Sequence, residues 1–172
     1  MSISPARAAA FDILLRIEQQ DAYASELLHA SQYSKLSSVD HGLATELVMG
    51  VLRWRSLLDE QISHFSSKAV EKLDLEVLAA LRLAAYQLAS LDGVPERAAV
   101  HESGELVKWA RKKSAVPFAN AVLRKLAGSA AAARSAGENS AVSGALDWCF
   151  AQNAKPSLTD SVQPAAELSQ KL

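Results

Sequence analysis

Apolar residues recur at three- and four-residue steps through most of the first 127 residues, which is the period of amphipathic α-helices. Over residues 5–19 these positions form one stripe, and Pro5 suits the first position of a helix. A short second helix is expected over residues 22–32. The pattern therefore predicts that the chain opens with two helices.

A long helical stretch is predicted to follow. Ser37 and Asp40 have the spacing of a helix-capping pair, and the apolar stripe that they open continues to Phe65. Gly50 lies within this stretch, and glycine weakens a helix interior. We therefore expect a kink or a break at Gly50.

Residues 75–89 carry apolar side chains almost all round, unlike the amphipathic segments on either side. Asp74 stands where a helix N-cap is expected. A helix without a polar face is typical of the middle of a bundle. After Pro95, two further helices are expected over residues 96–110 and 115–127. The pattern predicts an all-α fold, a bundle of six or seven helices around one central apolar helix.

The texture of the sequence changes at Gly128. Of the eighteen residues 128–145, fourteen are Ala, Gly or Ser, which cannot pack a core. We expect a linker here, with some weak helix in the alanine run at 130–133. The predicted organisation is a folded domain over residues 1–127, followed by an Ala/Ser/Gly-rich linker and a mostly flexible tail over residues 128–172.

Composition narrows the class of protein. The chain lacks an apolar run of the ~20 residues that span a bilayer, and its opening residues do not have the pattern of a signal peptide. A single cysteine excludes an internal disulfide, so a cytoplasmic location without a membrane partner is expected. The formal net charge is −1, so a nucleic acid would have to bind at a local patch.

The residue types that carry catalysis are not arranged for it. The seven glycines are scattered and follow no predicted strand, so a Gly-rich cofactor loop is not expected. The four histidines lie in different segments, which gives no support for a metal site. Cys149 stands between Trp148 and Phe150, which favours a small buried hydrophobe over a nucleophile. We predict no catalytic, cofactor-binding or metal-binding residue.

Basic residues are the better lead. A cluster of them lies where one predicted helix ends: Lys108, Arg111, Lys112 and Lys113. Two more cations, Arg124 and Lys125, follow on the next predicted helix. One interpretation is that cations near a helix C-terminus merely complement its dipole, and the other is an RNA footprint.

Three other arginines need separate interpretations. Arg53 and Arg55 flank Trp54, but residues two apart on a helix diverge by ~200°, so these two cannot form one patch by themselves. A solvated face and phosphate contact both stay open for them. Arg82 lies within the apolar central segment and is expected to form an ion pair, with Asp59 or Glu105.

Three stretches together resemble one family. Residues 46–54 (ELVMGVLRW) resemble a motif of the NusB-like domain in RsmB-type rRNA methyltransferases. Residues 76–88 (EVLAALRLAAYQL) are similar to the central helix shared by that domain and free-standing NusB. The closing pattern of the family follows in order, in Val94-Pro95, Ala99–Ser103 and Phe118–Arg124. The resemblance covers about residues 5–127.

The resemblance implies an all-helical bundle that binds structured or single-stranded RNA. Phe118 stands at the family's aromatic position, where it could stack on a splayed base or belong to the core. Free-standing NusB has an arginine-rich N-terminal helix, whereas only Arg7 stands in the corresponding opening here. The Gly50–Trp54 stretch and Arg124 look more like the methyltransferase branch.

RsmB-type enzymes continue into a Rossmann-like domain that binds S-adenosylmethionine, and nothing resembling it follows Leu126. We therefore expect either a truncated enzyme or a module derived from one. The predicted function is RNA recognition without catalysis or a cofactor, as the rRNA-recognition domain of, or derived from, an S-adenosylmethionine-dependent rRNA cytosine-C5 methyltransferase.

The alternatives are a NusB-type transcription antitermination factor and a protein-interaction bundle. Expected partners are RNA, most simply rRNA, and either a methyltransferase domain or ribosomal or transcription proteins. The residues predicted to contact RNA are Arg7, Lys112, Lys113, Phe118 and Arg124, with Arg53 and Arg55 behind them.

Overall fold

The computed structural model describes residues 3–20, 22–91 and 94–135. Within these ranges it contains seven α-helices, three short 3₁₀ segments and no strand. The predictions for the later part of the tail, including Cys149 and the apolar residues around it, lie outside the described residues. The predicted all-α bundle with a central apolar helix is confirmed.

The first helix, α1 (Pro5–Gln20), begins at the predicted proline and buries its apolar stripe. The predicted second helix is shorter than expected and is divided into α2 (Ala24–Leu28) and a 3₁₀ segment (Ser31–Tyr33). Ala30 is extended between the two pieces. Tyr33 is buried and donates a hydrogen bond to Asp12 of α1. Because so short a segment has little helical stability of its own, these tertiary contacts decide its conformation.

The long helical stretch is divided into α3 (Ser38–Arg53) and α4 (Arg55–Ser66). Ser37 caps α3 as predicted, because its hydroxyl accepts a hydrogen bond from the Asp40 N–H at 3.1 Å. The break falls at Trp54, so the prediction of a break at Gly50 is wrong. Gly50 stays helical and buried because the Tyr86 ring packs against it, where a Cβ would overlap the ring.

The central helix is α5 (Leu75–Ser90), and residues 77–88 are all buried. It packs against α1, α3 and α4, and also against α6 (Glu96–Trp109) and α7 (Val116–Ser135). Asp74 occupies the N-cap position of α5, but its side chain makes no capping hydrogen bond. Because α5 is wrapped on all sides, the groups available to a partner lie on the surrounding helices and at the helix ends.

The last helix, α7, continues from Val116 to Ser135, past the predicted domain boundary at residue 127. Ala130 lies within this extension and is 2% exposed. The alanine run at 130–133 is therefore helical, as the sequence pattern indicated in part. A third 3₁₀ segment (Lys113–Ala115) lies between α6 and α7 and begins with the last residue of the basic cluster.

Candidate nucleic-acid interface

The seven residues predicted to contact RNA fall into two groups. In the first group the cation is bound to carboxylates of the same chain, and its members are Arg7, Arg55 and Lys112. The second group has no ion pair among the described residues and consists of Arg53, Lys113, Phe118 and Arg124. The structure therefore divides the seven residues by ion pairing: three are already bound to carboxylates, and four are not bound to any in the described ranges.

Arg7 lies between α1, α5 and α6. Its Nε is 3.2 Å from Glu102 Oε2 and donates a hydrogen bond to Gln87 Oε1, and the side chain is only 13% exposed. These contacts join three helices. Arg7 is thus a packing residue in this conformation, and a phosphate would have to displace its partners.

A second interior network surrounds Arg82. Its guanidinium donates two hydrogen bonds to Asp59, at 2.6 and 2.8 Å, and a third to Glu18 at 3.1 Å. Asp59 was one of the two predicted partners and is confirmed, whereas Glu105 is not a partner because it binds Lys108 at 2.7 Å. Arg55 completes the network from the surface, with its guanidinium 2.9 Å from Glu18.

Arg53 and Arg55 lie on opposite sides of the break at Trp54. Arg53 ends α3 and is exposed, while Arg55 begins α4 and is bound to Glu18. Arg53 lies close enough to Tyr86 to oppose the rise in the pKa of that hydroxyl, which burial and a hydrogen bond to Glu46 raise to about 12. Of these two arginines, only Arg53 is exposed without an ion pair to another residue of the described ranges.

The end of α6 divides the basic cluster in the same way. Lys112 lies 3.1 Å from Asp74 and 3.7 Å from Glu76, at the start of α5, and these carboxylates raise its pKa. By contrast, Arg111 and Lys113 are exposed and make no ion pair with a described residue. The Asp74 side chain does not cap α5; its ion pair with Lys112 instead links the segment after α6 to the start of α5.

Trp109 is a functional candidate that the sequence reading missed. It is the last residue of α6 and 56% exposed, and its ring is tilted against that of the buried Phe11, with 6.0 Å between the ring centroids. The signal was present, since Trp109 stands inside the basic run from Lys108 to Lys113. An exposed aromatic side chain among cations is typical of nucleic-acid-binding surfaces.

Phe118 is half-buried at the start of α7, between the two environments that the sequence left open. The Lys68 ammonium lies 4.9 Å from the centre of its ring, in a cation–π arrangement. Further along α7, Lys125 donates a hydrogen bond to the Phe65 carbonyl at 3.5 Å. Arg124, beside it, is exposed and unpaired among described residues.

Metal chemistry finds no support in the part of the chain that the structure describes. No group of three or more His, Cys, Asp or Glu side chains there could hold an ion. His29 and His41 come together, with ring centroids 6.2 Å apart, but His41 Nε2 is engaged with the Leu28 carbonyl at 3.0 Å. Over the same ranges, none of the helices has the length and hydropathy to cross a membrane.

Comparison with known proteins gives one family. The sequence profile of the NusB family matches residues 4–128. A probable ribosomal RNA small subunit methyltransferase B of Bacillus subtilis is 36% identical over 127 residues, which are 73% of this chain and 28% of that protein. A transcription antitermination protein NusB of Vibrio campbellii is 35% identical over 121 residues, or 67% of this chain and 78% of that protein.

Solved structures agree on the fold. One chain of a crystal structure of antitermination factors NusB and NusE in complex with double-stranded RNA superimposes with a TM-score of 0.66 at 23% identity. That match covers 72% of this chain and 94% of the other. NusB of T. maritima gives the same TM-score at 22% identity, covering 74% and 93% of the two chains.

Proposed function

The chain belongs to the NusB family, and from that premise we propose that it binds RNA and catalyses no reaction by itself. The observation that carries the proposal is the family match over residues 4–128, which spans every described helix as far as the middle of α7. Charge for phosphate groups is supplied by four cations that have no ion pair within the described part of the chain: Arg53, Arg111, Lys113 and Arg124.

The finer proposal is that the chain is the rRNA-recognition domain of, or is derived from, an S-adenosylmethionine-dependent rRNA cytosine-C5 methyltransferase. The Bacillus subtilis relative supports this, although the match spans little more than a quarter of that protein. A Rossmann-like cofactor site needs strands, and the described residues form none. Methyl transfer would therefore belong to another domain or another chain.

The proposed contacts centre on the start of α7. Lys113, Phe118 and Arg124 are the predicted residues that are not bound to a described carboxylate there, and Arg53 is a further one at the end of α3. We keep Arg7, Arg55 and Lys112 as proposed RNA contacts, but each would first have to release its carboxylate in order to bind a phosphate. Each should therefore contribute less to RNA affinity than a cation without a carboxylate partner, because an existing ion pair must be broken.

The test is the salt dependence of binding to a 16S rRNA fragment, measured by fluorescence anisotropy. Each phosphate contact adds about 0.7 to the slope of log affinity against log salt for a single strand. The four unpaired cations predict a slope of about −3. An affinity that stays flat from low to high salt would contradict RNA binding through these cations.

A second candidate is a NusB-type antitermination factor or another protein-interaction bundle. It is favoured by the Vibrio campbellii relative, most of whose length is matched. Affinity capture with and without ribonuclease distinguishes it, because ribosomal or transcription proteins that survive the nuclease are held by protein contacts.

The methyltransferase proposal has a test of its own. We expect the genomic DNA after the Leu172 codon, in any reading frame, to encode a Gly-rich cofactor loop and a Pro-Cys segment if the chain is part of such an enzyme. DNA with neither feature would favour a free-standing module.

A further inference from the structure

The end of α6 has an unusual backbone. The Lys112 N–H donates to the Val107 carbonyl and the Arg111 N–H to the Lys108 carbonyl, each at 3.0 Å. This is the hydrogen-bond pattern of a Schellman cap, in which glycine normally occupies the left-handed position. Here that position holds Arg111, with φ of 62°. A residue with a Cβ is strained in this conformation.

A strained backbone that persists invites a functional explanation. A cation near a helix C-terminus complements the dipole, but any residue of the last turn could do that without adopting a positive φ. Lys108, one turn earlier, is already in such a position and is bound to Glu105. The dipole therefore does not account for an arginine at the position that favours glycine.

Arg111 follows closely after an exposed aromatic residue in the chain. It is two residues after Trp109, so their Cα atoms are at most about 7 Å apart. The indole is more than half exposed, and Phe11 supports it from the core side. Lys113 follows within four residues of Trp109, and neither it nor Arg111 has a carboxylate partner among described residues.

We propose that Trp109, Arg111 and Lys113 form a binding site for an unpaired RNA base and its flanking phosphates. The base stacks on the exposed indole, while the guanidinium and the ammonium bind the phosphates on either side. The charge of these two cations, which no described carboxylate neutralises, favours RNA over an apolar partner at this surface. The proposal rests on the RNA-binding function and deepens it, by giving the site a preference for single strands.

The experiment uses the full chain with a short fluorescent single-stranded oligoribonucleotide and its blunt duplex. We expect Trp109→Ala to weaken single-strand binding about tenfold, while Trp109→Phe retains most of the affinity. RNA should quench tryptophan emission in the unmodified protein and much less in Trp109→Phe, although Trp54 and Trp148 remain.

Arg111→Gly gives the sharper result, because two effects should have opposite signs. Relief of the left-handed strain should raise the urea midpoint, while loss of the cation should lower RNA affinity several-fold. Ser67→Gly is the matched control: Ser67, at φ of 56°, is the other non-glycine residue with positive φ in the described ranges. It should raise the midpoint and leave RNA binding unchanged. Lys108→Ala, which removes a cation already bound by Glu105, should change RNA affinity little.

The outcomes separate this site from the general function. If the unmodified protein binds RNA in a salt-dependent manner but Trp109→Ala and Arg111→Gly bind as tightly, the site is wrong and RNA binding stands. Equal affinity for single strand and duplex also overturns the stacking site. If the unmodified protein binds neither RNA at low salt, the proposed function and the site both fail.

Discussion

Two regions of the molecule use arginine and lysine in opposite ways. In the interior region, which consists of the ion pairs that link α1, α4, α5 and α6, Arg7, Arg55 and Arg82 are bound to carboxylates. In the stretch from the end of α6 to the middle of α7, called the α6–α7 corner, Arg111, Lys113 and Arg124 are exposed without such partners among the described residues. The same residue types thus stabilise the bundle in one region and remain available to a ligand in the other.

This difference teaches that the number of cations in a sequence does not give the number that a phosphate can reach. The domain has as many acidic as basic residues through Ala127, fifteen of each, and looks neutral. Five carboxylates bind the interior arginines and Lys112, namely Glu18, Asp59, Glu102, Asp74 and Glu76, whereas Arg111, Lys113 and Arg124 at the corner have no carboxylate partner among the described residues. Binding can therefore be local although the net charge is −1.

The largest expected effect tests the interior region. Arg82→Met would leave Asp59 without its two hydrogen bonds and Glu18 with Arg55 alone, so stability should fall by about 3–5 kcal/mol in urea unfolding. Arg124→Met removes an exposed cation and should change stability by less than about 0.5 kcal/mol. Equal urea midpoints for the two variants would remove the distinction between the regions.

The next effect concerns pH. Burial and a hydrogen bond to Glu46 raise the pKa of Tyr86 to about 12, from an ordinary value of 10.0. The unfolded chain therefore loses this proton first, so the stabilisation is complete below about pH 10 and is lost as the pH rises towards about 12. Tyr86→Phe should lack this loss, which is on the order of 2 kcal/mol.

Urea unfolding at about pH 8 and about pH 11 measures this, and the stability difference between the unmodified protein and Tyr86→Phe should shrink at the higher pH. Tyr33 behaves similarly, because burial and a hydrogen bond to Asp12 raise its pKa to about 12. Tyr23→Phe, at an exposed position, is the control. A constant stability difference between unmodified protein and Tyr86→Phe would show that the hydroxyl is not held neutral by its surroundings.

The third effect tests the corner. Removing Lys113 and Arg124 together should weaken binding to single-stranded RNA roughly twentyfold at about 0.1 M salt and reduce the salt slope by about 1.4. Arg55→Ala removes an arginine that is bound to Glu18, so its affinity should stay within about twofold of the unmodified protein. If Arg55→Ala is as damaging as the double variant, paired and unpaired cations contribute alike.

The smallest effect is the stability of Arg55→Ala. Its side chain is 46% exposed, and Glu18 keeps its ion pair with Arg82 in this variant. We therefore expect a loss of only about 0.2–1 kcal/mol in the same urea assay. A loss approaching that of Arg82→Met would mean that Arg55 belongs to the interior network rather than to its edge.

The fold could be predicted where a local pattern of apolar or capping residues determines the structure. The central helix and the Ser37 cap were predicted because their signals are local. The helix break was predicted at Gly50 but lies at Trp54. The Tyr86 ring that packs against Gly50 comes from a position 36 residues further along the chain, which the local pattern does not reveal. The length of α7 was underestimated, since the sequence does not reveal which surface buries Ala130.

The site was harder to predict than the fold. Arg55, Arg82 and Arg7 find partners that are 37, 64 and 80 residues away, and a single sequence does not reveal such pairings. The ion pairs of Arg7 and Arg55 could therefore not be predicted, and their contact with RNA stays a prediction. Trp109 was missed although its neighbours in the sequence are cations, because its exposure depends on where α6 ends.

The burial of α5 on every side has a consequence for synthesis of the chain. A nascent polypeptide that has reached Leu91 carries the whole of α5, but α6 and α7, which cover part of its surface, have not yet been made. Until then that hydrophobic surface is open to association with other chains or with a chaperone. The domain should therefore acquire its native packing late in translation, and a fragment ending at α5 should aggregate rather than fold.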